Sequence, residues 1–166
     1  MVLPRMYWIN DKVAGGCIPL KDDYQKLRNL NIKIIISLVE DWEYEYYADM
    51  SIDDVYRIVE NLDMKIYRYP TKDGYSPDEY TLLDICKKIE KSIQDGYRVY
   101  VHCVGGLGRT PTVLSAYLIY SNNLECEEAL RIMMNINPDM SITEDQYYAL
   151  KTFELYIKNI RDKMLK

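Results

Sequence analysis

The chain has 166 residues, of which 48% are hydrophobic, and a formal net charge of −5 at pH 7. This length fits one domain with a substantial core, and the acidic balance without any block of basic residues excludes nucleic acid as a partner. No apolar segment approaches the roughly 18 residues of a membrane span and the N-terminus lacks a signal-peptide pattern, so we expect a cytoplasmic protein that does not bind membranes.

Predicted strands and helices alternate along the chain. β-branched or alternating runs bounded by turn residues predict strands near 6–9, 13–17, 32–39, 64–69 and 97–102. Helical periodicity and capping signals predict helices near 22–30, 51–61, 77–95, 109–122, 125–135 and 143–163. This alternation predicts a single α/β domain over 1–166, with a mostly parallel, twisted sheet flanked by helices and a pocket at the carboxyl ends of the strands.

Three acidic residues follow the strand predicted over 32–39, namely Glu40, Asp41 and Glu43. They should emerge at the pocket edge of the sheet. One interpretation is that they cap or begin the next helix and face solvent. In the other, one of them reaches the pocket, and Glu40 is our candidate for an auxiliary acid or for the partner that orients an arginine there.

A turn-rich segment follows the strand predicted over 64–69. Asp73 precedes a glycine in this segment, and taken alone it is an ordinary turn aspartate. Ser76, Pro77 and Glu79 have the pattern of a helix N-cap, first helical residue and capping-box partner. Asp78 falls inside that predicted helix start and is therefore a weaker candidate than Asp73 for a catalytic acid.

The most specific segment runs from His102 to Thr110 and contains three glycines. It joins the strand predicted over 97–102 to the helix predicted over 109–122. A strand, a glycine-rich loop and a helix N-terminus form an anion site, because successive backbone N–H groups point inward and the helix dipole adds positive potential. We expect the cradle to consist of Val104, Gly105, Gly106, Leu107, Gly108 and Arg109.

Individual residues of this loop have predicted roles. The inward N–H groups favour the thiolate form of Cys103, which makes it the candidate nucleophile. Arg109 offers a planar fork of donors to two phosphate oxygens, and the Thr110 hydroxyl is a candidate partner of the sulfur. His102 is the only histidine, and it points to the opposite side from Cys103 if the strand continues to that position. We expect it to support the loop backbone rather than to transfer a proton.

The pattern His-Cys-x-x-Gly-x-x-Arg-Thr resembles the signature loop of the cysteine-dependent protein tyrosine phosphatases. The length resembles the compact dual-specificity-like branch, particularly small archaeal tyrosine phosphatases, and the similarity extends to residues 6–9, 15–16, 40–43 and 73–74. The resemblance implies a phosphocysteine on Cys103, phosphate binding by Arg109 and general acid and base catalysis by Asp73. It also implies phosphorylated proteins or peptides as substrates, phosphotyrosine first, acted on by a monomer without metal or cofactor.

The chain departs from the family pattern at two places. Pro111 replaces the usual glycine after the signature loop, where a first helical turn tolerates proline. Ile142 stands where larger tyrosine phosphatases have a glutamine that positions water. Gln146 matches their second glutamine, but Thr143-x-x-Gln146 is also a capping box, and we expect the cap to be the sole role of Gln146.

Two other classes of function remain alternatives at this point. One is a phosphoresidue-binding module without turnover, which the presence of Cys103, Asp73 and Arg109 argues against. The other is rhodanese-like sulfur transfer or arsenate reduction, and arsenate reduction needs a resolving thiol that the sequence does not place next to Cys103. The four cysteines lack metal-type spacing, so we expect no metal site.

Overall fold

A computed structural model describes residues 3–166. Its strands are β1 (Tyr7–Trp8), β2 (Val13–Gly16), β3 (Ile32–Ser37), β4 (Lys65–Arg68) and β5 (Arg98–His102). Its helices are α1 (Asp23–Asn29), α2 (Asp41–Ala48), α3 (Ile52–Asn61), α4 (Glu79–Gln94), α5 (Arg109–Asn122), α6 (Cys126–Ile136) and α7 (Glu144–Met164). All the predicted strands and helices are present, and α2 is additional.

The five strands form one sheet in the order β1-β2-β5-β3-β4. Only β1 is antiparallel, and the other neighbours pair in parallel. Parallel strands covered on both faces have nearly continuous hydrophobic sequences, and β3 is an example, with buried isoleucine at four of its six positions. The predicted α/β fold with a mostly parallel sheet is therefore confirmed.

The four parallel strands end in one row across the sheet. Gly16 of β2 pairs with His102 of β5, His102 pairs with Ser37 of β3, and Ser37 pairs with Arg68 of β4. The segments that leave these strands therefore start at the same edge, as expected at the carboxyl ends of parallel strands. They include the signature loop after β5 and the loop of residues 70–77 after β4, which we call the acid loop.

The helix α5 runs through the interior. Its residues from Arg109 to Ile119 are all buried, and it packs against β2, β5 and the helices α4, α6 and α7. This central position explains why its sequence is apolar on nearly every face. Within residues 3–166, no helix combines the length and the apolar character that crossing a membrane requires.

Two helix starts differ from the prediction. The helix α2 has no apolar stripe, because its buried residues are Glu43, Tyr44 and Ala48, and periodicity alone did not predict it. The predicted cap of α4 at Ser76 is wrong, since the helix is capped by Asp78, whose carboxylate accepts the Thr81 N–H at 2.8 Å.

The two candidates for the catalytic acid, Asp73 and Asp78, lie in different surroundings. The hydrogen bond from the Thr81 N–H lowers the pKa of Asp78 below its usual value, as expected for a helix-capping carboxylate. Asp73 lies in the acid loop instead, outside any helix.

Candidate active site

Cys103 lies at the base of the signature loop, directly after β5. Its side chain is almost fully buried, and its sulfur accepts a hydrogen bond from the Gly106 N–H at 3.2 Å. A backbone donor at this distance stabilises a negative charge on the sulfur. The geometry therefore suits a thiolate nucleophile at this position.

Five carbonyl groups between Cys103 and Gly108 accept hydrogen bonds from donors outside that stretch. Cys103 O accepts from His102 Nδ1 (3.0 Å), Val104 O from Ile18 N (2.9 Å), Gly106 O from Tyr7 OH (3.2 Å) and Asn137 Nδ2 (3.3 Å), Leu107 O from Ser141 N (2.8 Å), and Gly108 O from Thr112 N (3.1 Å). In a planar trans peptide the N–H points away from the preceding carbonyl. The N–H groups of residues 104, 105, 107, 108 and 109 therefore point away from these outer partners, as an anion cradle requires.

Of the three glycines, Gly106 has the strictest requirement. Its φ of +75° is a conformation that residues with a side chain rarely adopt, and an added Cβ would lie 2.6 Å from the backbone carbonyl carbon of Gly16. Gly108 has ordinary space around it, with Ser141 O at 3.5 Å from an added Cβ. The end of β2 thus packs directly against the loop at Gly106.

The guanidinium of Arg109 is fixed from two sides. Nη1 and Nη2 each donate to one carboxylate oxygen of Glu43 at 2.8 Å, and Nη1 also donates to Thr71 O at 2.8 Å. Both side chains are 2% exposed, so the pair is shielded from water. The geometry is the bidentate fork that arginine forms with carboxylates.

Both members of this pair are ionised. Burial lowers the pKa of Arg109, but the Glu43 hydrogen bonds and the nearby negative charges outweigh it and raise the pKa above its usual value. Burial raises the pKa of Glu43, but the hydrogen bonds from Arg109 and from the Glu40 N–H outweigh it and leave the pKa below its usual value.

The partner of Arg109 is therefore Glu43, and the prediction of Glu40 for that role is wrong. Glu40 caps α2, and its carboxylate accepts a hydrogen bond from the Trp42 indole at 2.9 Å. Its backbone N–H donates to Glu43 at 3.0 Å. The physical reason is the orientation of α2: Glu40 precedes the helix as its cap, whereas Glu43 lies on the buried face of the helix beside Tyr44.

Asp73 lies beside the arginine. One of its carboxylate oxygens is 3.5 Å from Arg109 Nε, and its side chain is 83% exposed. The structure therefore brings Cys103, Arg109 and Asp73 to the same edge of the sheet.

Thr110 and Gln146 differ from their predicted contacts. Thr110 Oγ1 is buried and has no hydrogen-bond partner among residues 3–166, so its hydroxyl does not contact the sulfur here. Gln146 forms the expected cap, since its Oε1 accepts the Thr143 N–H at 3.0 Å. Its Nε2 also donates to Tyr75 O at 3.1 Å, so capping is not its only contact.

His102 supports the loop from inside the core. Its Nδ1 faces Cys103 O, and its Nε2 lies 3.2 Å from the hydroxyl of Tyr44, which in turn lies 2.6 Å from Ser37 Oγ. Burial lowers the pKa of His102 to about 4. A neutral ring carries its proton on Nδ1 here, because a carbonyl only accepts, and the ring contacts the loop backbone, Tyr44 and Tyr100.

Sequence reasoning listed Glu43 among three candidate acids but chose Glu40, and it missed Tyr7 and Asn137 as supporting residues. Tyr7 falls within the segment 6–9 that the family resemblance covered, but nothing in the sequence indicated that its hydroxyl reaches Gly106 O. Asn137 approaches the same carbonyl from the connection between α6 and α7, where an asparagine ordinarily indicates only a turn.

The fold and the cysteine-containing loop define the class of the dual-specificity and tyrosine phosphatases. A family model described as polymorphic toxin system, DSP-PTPase phosphatase, matches residues 11–123. The chain therefore belongs to the DSP-PTPase family and is a phosphomonoester hydrolase.

Relatives and solved structures agree with this assignment. The phosphatidylglycerophosphatase and protein-tyrosine phosphatase 1 of Mus musculus is 30% identical over 149 residues, which are 87% of this chain and 74% of that protein. Phosphoglucan phosphatase DSP4 of Castanea sativa is 28% identical over 75% of this chain, which spans only 34% of that relative. Tk-PTP in its active form superposes with a TM-score of 0.82 at 30% identity, covering 92% of this chain and 97% of Tk-PTP. PTPMT1 in complex with PI(5)P superposes with a TM-score of 0.85 at 27% identity, covering 95% of this chain and 99% of PTPMT1.

We predict that Glu43→Ala lowers the free energy of unfolding by about 3–5 kcal/mol, because it leaves the Arg109 charge buried without its partner. Activity on p-nitrophenyl phosphate should fall as well, since the guanidinium loses its orientation. The matched control is Glu45→Ala, which removes an exposed carboxylate two residues further along α2 and should change stability by about 0.5 kcal/mol or less. Urea unfolding and steady-state kinetics measure both, and equal effects of the two substitutions would contradict the assignment.

We predict that stability falls as the pH is lowered from about 6.5 to about 4. The unfolded chain binds a proton to His102 near pH 6.5, whereas in the folded protein burial delays protonation to about pH 4. The stabilisation is complete above pH 6.5, and about 3 kcal/mol of it is lost by pH 4. Urea unfolding at half-unit pH steps measures this slope. In His102→Asn the slope between pH 6.5 and 4.5 should disappear, and its persistence there would be inconsistent with this origin.

Proposed function

We propose that this chain hydrolyses phosphotyrosine on proteins or peptides through a phosphocysteine intermediate on Cys103. The observation that supports this most directly concerns the donors of Arg109. Its Nε is buried and has no hydrogen-bond partner among the described residues, although Asp73 stands 3.5 Å away. A buried charged donor without a partner is costly, so it indicates a site for an anionic ligand.

The number of donors matches a phosphate. Arginine has five N–H groups, and Glu43 and Thr71 use three of them, both on Nη1 and one on Nη2. The two that remain, on Nε and Nη2, lie on one edge of the guanidinium. That edge fits two oxygens of a phosphate in bidentate geometry, while the loop N–H groups receive the third oxygen and share the charge.

In the first step the Cys103 thiolate attacks phosphorus, an S–P bond forms and the bond from phosphorus to the tyrosine oxygen breaks. The carboxylic acid of Asp73 gives its proton to the departing oxygen, so that the leaving group is neutral tyrosine. Arg109 and the loop N–H groups hold the three non-bridging oxygens throughout this transfer.

In the second step the Asp73 carboxylate takes a proton from water, and the water oxygen attacks phosphorus. The S–P bond breaks, Cys103 returns as a thiolate and inorganic phosphate leaves. Asp73 regains the proton it gave in the first step, which balances the cycle. With isoleucine at position 142, no glutamine is offered there to position the water, and Asp73 activates it without that help.

Two considerations bear on the substrate. Val104 and Leu107 of the loop are uncharged, whereas a polyphosphorylated ligand such as an inositol phosphate or an RNA 5′-phosphate gains from lysine or arginine at these positions. The uncharged loop therefore favours phosphotyrosine, with phosphoserine and phosphothreonine as further protein substrates.

A lipid phosphomonoester is the second candidate, because one relative is named a phosphatidylglycerophosphatase and PTPMT1 binds PI(5)P. A comparison of kcat/KM for phosphotyrosine peptides and for PI(5)P in mixed micelles decides between them.

We predict that the wild type releases phosphate from a phosphotyrosine peptide in the presence of EDTA and that Cys103→Ser lowers kcat by about 10³-fold or more. Cys103→Ser should still bind the phosphopeptide, since Arg109 and the loop N–H groups are unchanged. Cys17→Ser replaces a half-buried thiol that donates to Pro4 O and should retain activity. Phosphopeptide binding without turnover by the wild type would instead identify a binding module.

We predict that Asp73→Asn lowers kcat by about 10²-fold or more for phenyl phosphate and much less for p-nitrophenyl phosphate. Phenol leaves poorly without a proton, whereas p-nitrophenolate leaves readily. Asp78→Asn is the matched control, because Asp78 caps α4 and should leave the ratio of the two rates unchanged. Equal losses on both substrates in Asp73→Asn would assign the acid role to another group, with Glu40 tested next.

A further inference from the structure

The start of α7 lies against the acid loop. Thr143 Oγ1 donates to Gly74 O at 2.7 Å, and Gln146 Nε2 donates to Tyr75 O at 3.1 Å. These two carbonyls belong to the two residues that follow Asp73. The helix α7 therefore holds the acid loop on the carboxyl side of the proposed acid.

The same two side chains form the capping box of α7. Thr143 Oγ1 accepts the Gln146 N–H at 3.1 Å, and Gln146 Oε1 accepts the Thr143 N–H at 3.0 Å. Each side chain thus accepts a hydrogen bond from a backbone N–H at the start of α7 and donates one to a backbone carbonyl of the acid loop. A capping box needs only acceptors, which aspartate and glutamate supply equally well, so threonine and glutamine provide donors beyond what the helix requires.

The other side of Asp73 is anchored independently. Thr71 N–H donates to Leu38 O at 2.9 Å, and Thr71 O accepts from Arg109 at 2.8 Å. Asp73 itself is largely exposed, and one of its carboxylate oxygens lies 3.5 Å from Arg109 Nε. Its position is therefore set by the anchors before and after it rather than by contacts of its own side chain.

We propose that the α7 capping box is a latch for the acid loop, in which Thr143 and Gln146 are positioning residues that keep Asp73 over the signature loop. The proposal rests on the acid role of Asp73 under the proposed function. Loss of the latch lets the loop move away, so the step that needs a proton from Asp73 slows while phosphate binding by Arg109 and the loop N–H groups persists.

The primary test is Gln146→Glu, which keeps the acceptor for the Thr143 N–H but loses the donor to Tyr75 O. We expect kcat for phenyl phosphate to fall about 5- to 10-fold, the effect of one lost hydrogen bond, with a smaller change for p-nitrophenyl phosphate. KM should rise for both substrates together, because the new carboxylate lies beside Gly108 of the signature loop and repels phosphate, so the ratio of the two rates is the readout. Thr143→Asp is the second variant, because it caps α7 but cannot donate to Gly74 O, and Thr143→Ser should retain the wild-type ratio of the two rates.

A control separates the latch from general destabilisation. Ser51→Ala removes the cap of α3, where Ser51 Oγ accepts the Asp54 N–H at 3.1 Å, and should lower stability by about 1 kcal/mol. It should leave the ratio of the phenyl to p-nitrophenyl rates unchanged. If Ser51→Ala shifts that ratio as much as Gln146→Glu does, stability alone explains the effect and the latch is overturned.

The decisive experiment is a double-mutant cycle. Once Asp73→Asn has removed the acid, Gln146→Glu should have no further effect on the ratio of the two rates, because no proton donor remains to be positioned. An unchanged effect of Gln146→Glu in the Asp73→Asn background overturns the latch. If Asp73→Asn alone leaves the ratio unchanged, the acid assignment itself fails and the latch fails with it. If Asp73→Asn shifts the ratio but Gln146→Glu and Thr143→Asp do not, only the latch is wrong.

Discussion

The buried ion pair between Arg109 and Glu43 is the interaction on which the rest of the site depends. Removing two charges from water costs more than their attraction returns unless the remaining donors and acceptors are also satisfied. Here Thr71 O takes a further donor of Arg109, and the Glu40 N–H donates to Glu43. The pair thereby joins the first residue of α5, the helix α2 and the acid loop, and it leaves one edge of the guanidinium for substrate.

The helix α2 supports the signature loop at two points with consecutive residues. Glu43 holds Arg109 at the end of the loop, and Tyr44 contacts His102 at its beginning. His102 in turn donates to Cys103 O, which fixes the first peptide of the cradle. Because the supporting face is made of a glutamate and a tyrosine, α2 supports the site without having an apolar stripe.

The sequence predicts well most of what depends on local pattern, and the cap of α4 is the exception, since Asp78 caps that helix instead of Ser76. The isoleucine run of β3, the strand before Cys103 and the Thr143 cap each have a local physical cause, and the structure contains all three. The choice between Glu40 and Glu43 depends on which way a helix turns after its cap and on where Arg109 lies in space. That information comes from tertiary packing, as do the contacts of Tyr7 and Asn137 with Gly106 O. Local rules cannot supply it.

The segment that enters α7 links the two halves of the proposed chemistry. Ser141 N–H donates to Leu107 O in the signature loop, and two residues later Thr143 donates to Gly74 O in the acid loop. Only one residue separates these two donors along the chain, so this short stretch connects the signature loop to the acid loop. A nucleophile and an acid that act on one substrate in the same step must each be held within about 0.5 Å of the productive position. In the proposed mechanism residues 141–146 contribute by geometry alone, which is why their chemistry resembles an ordinary helix cap.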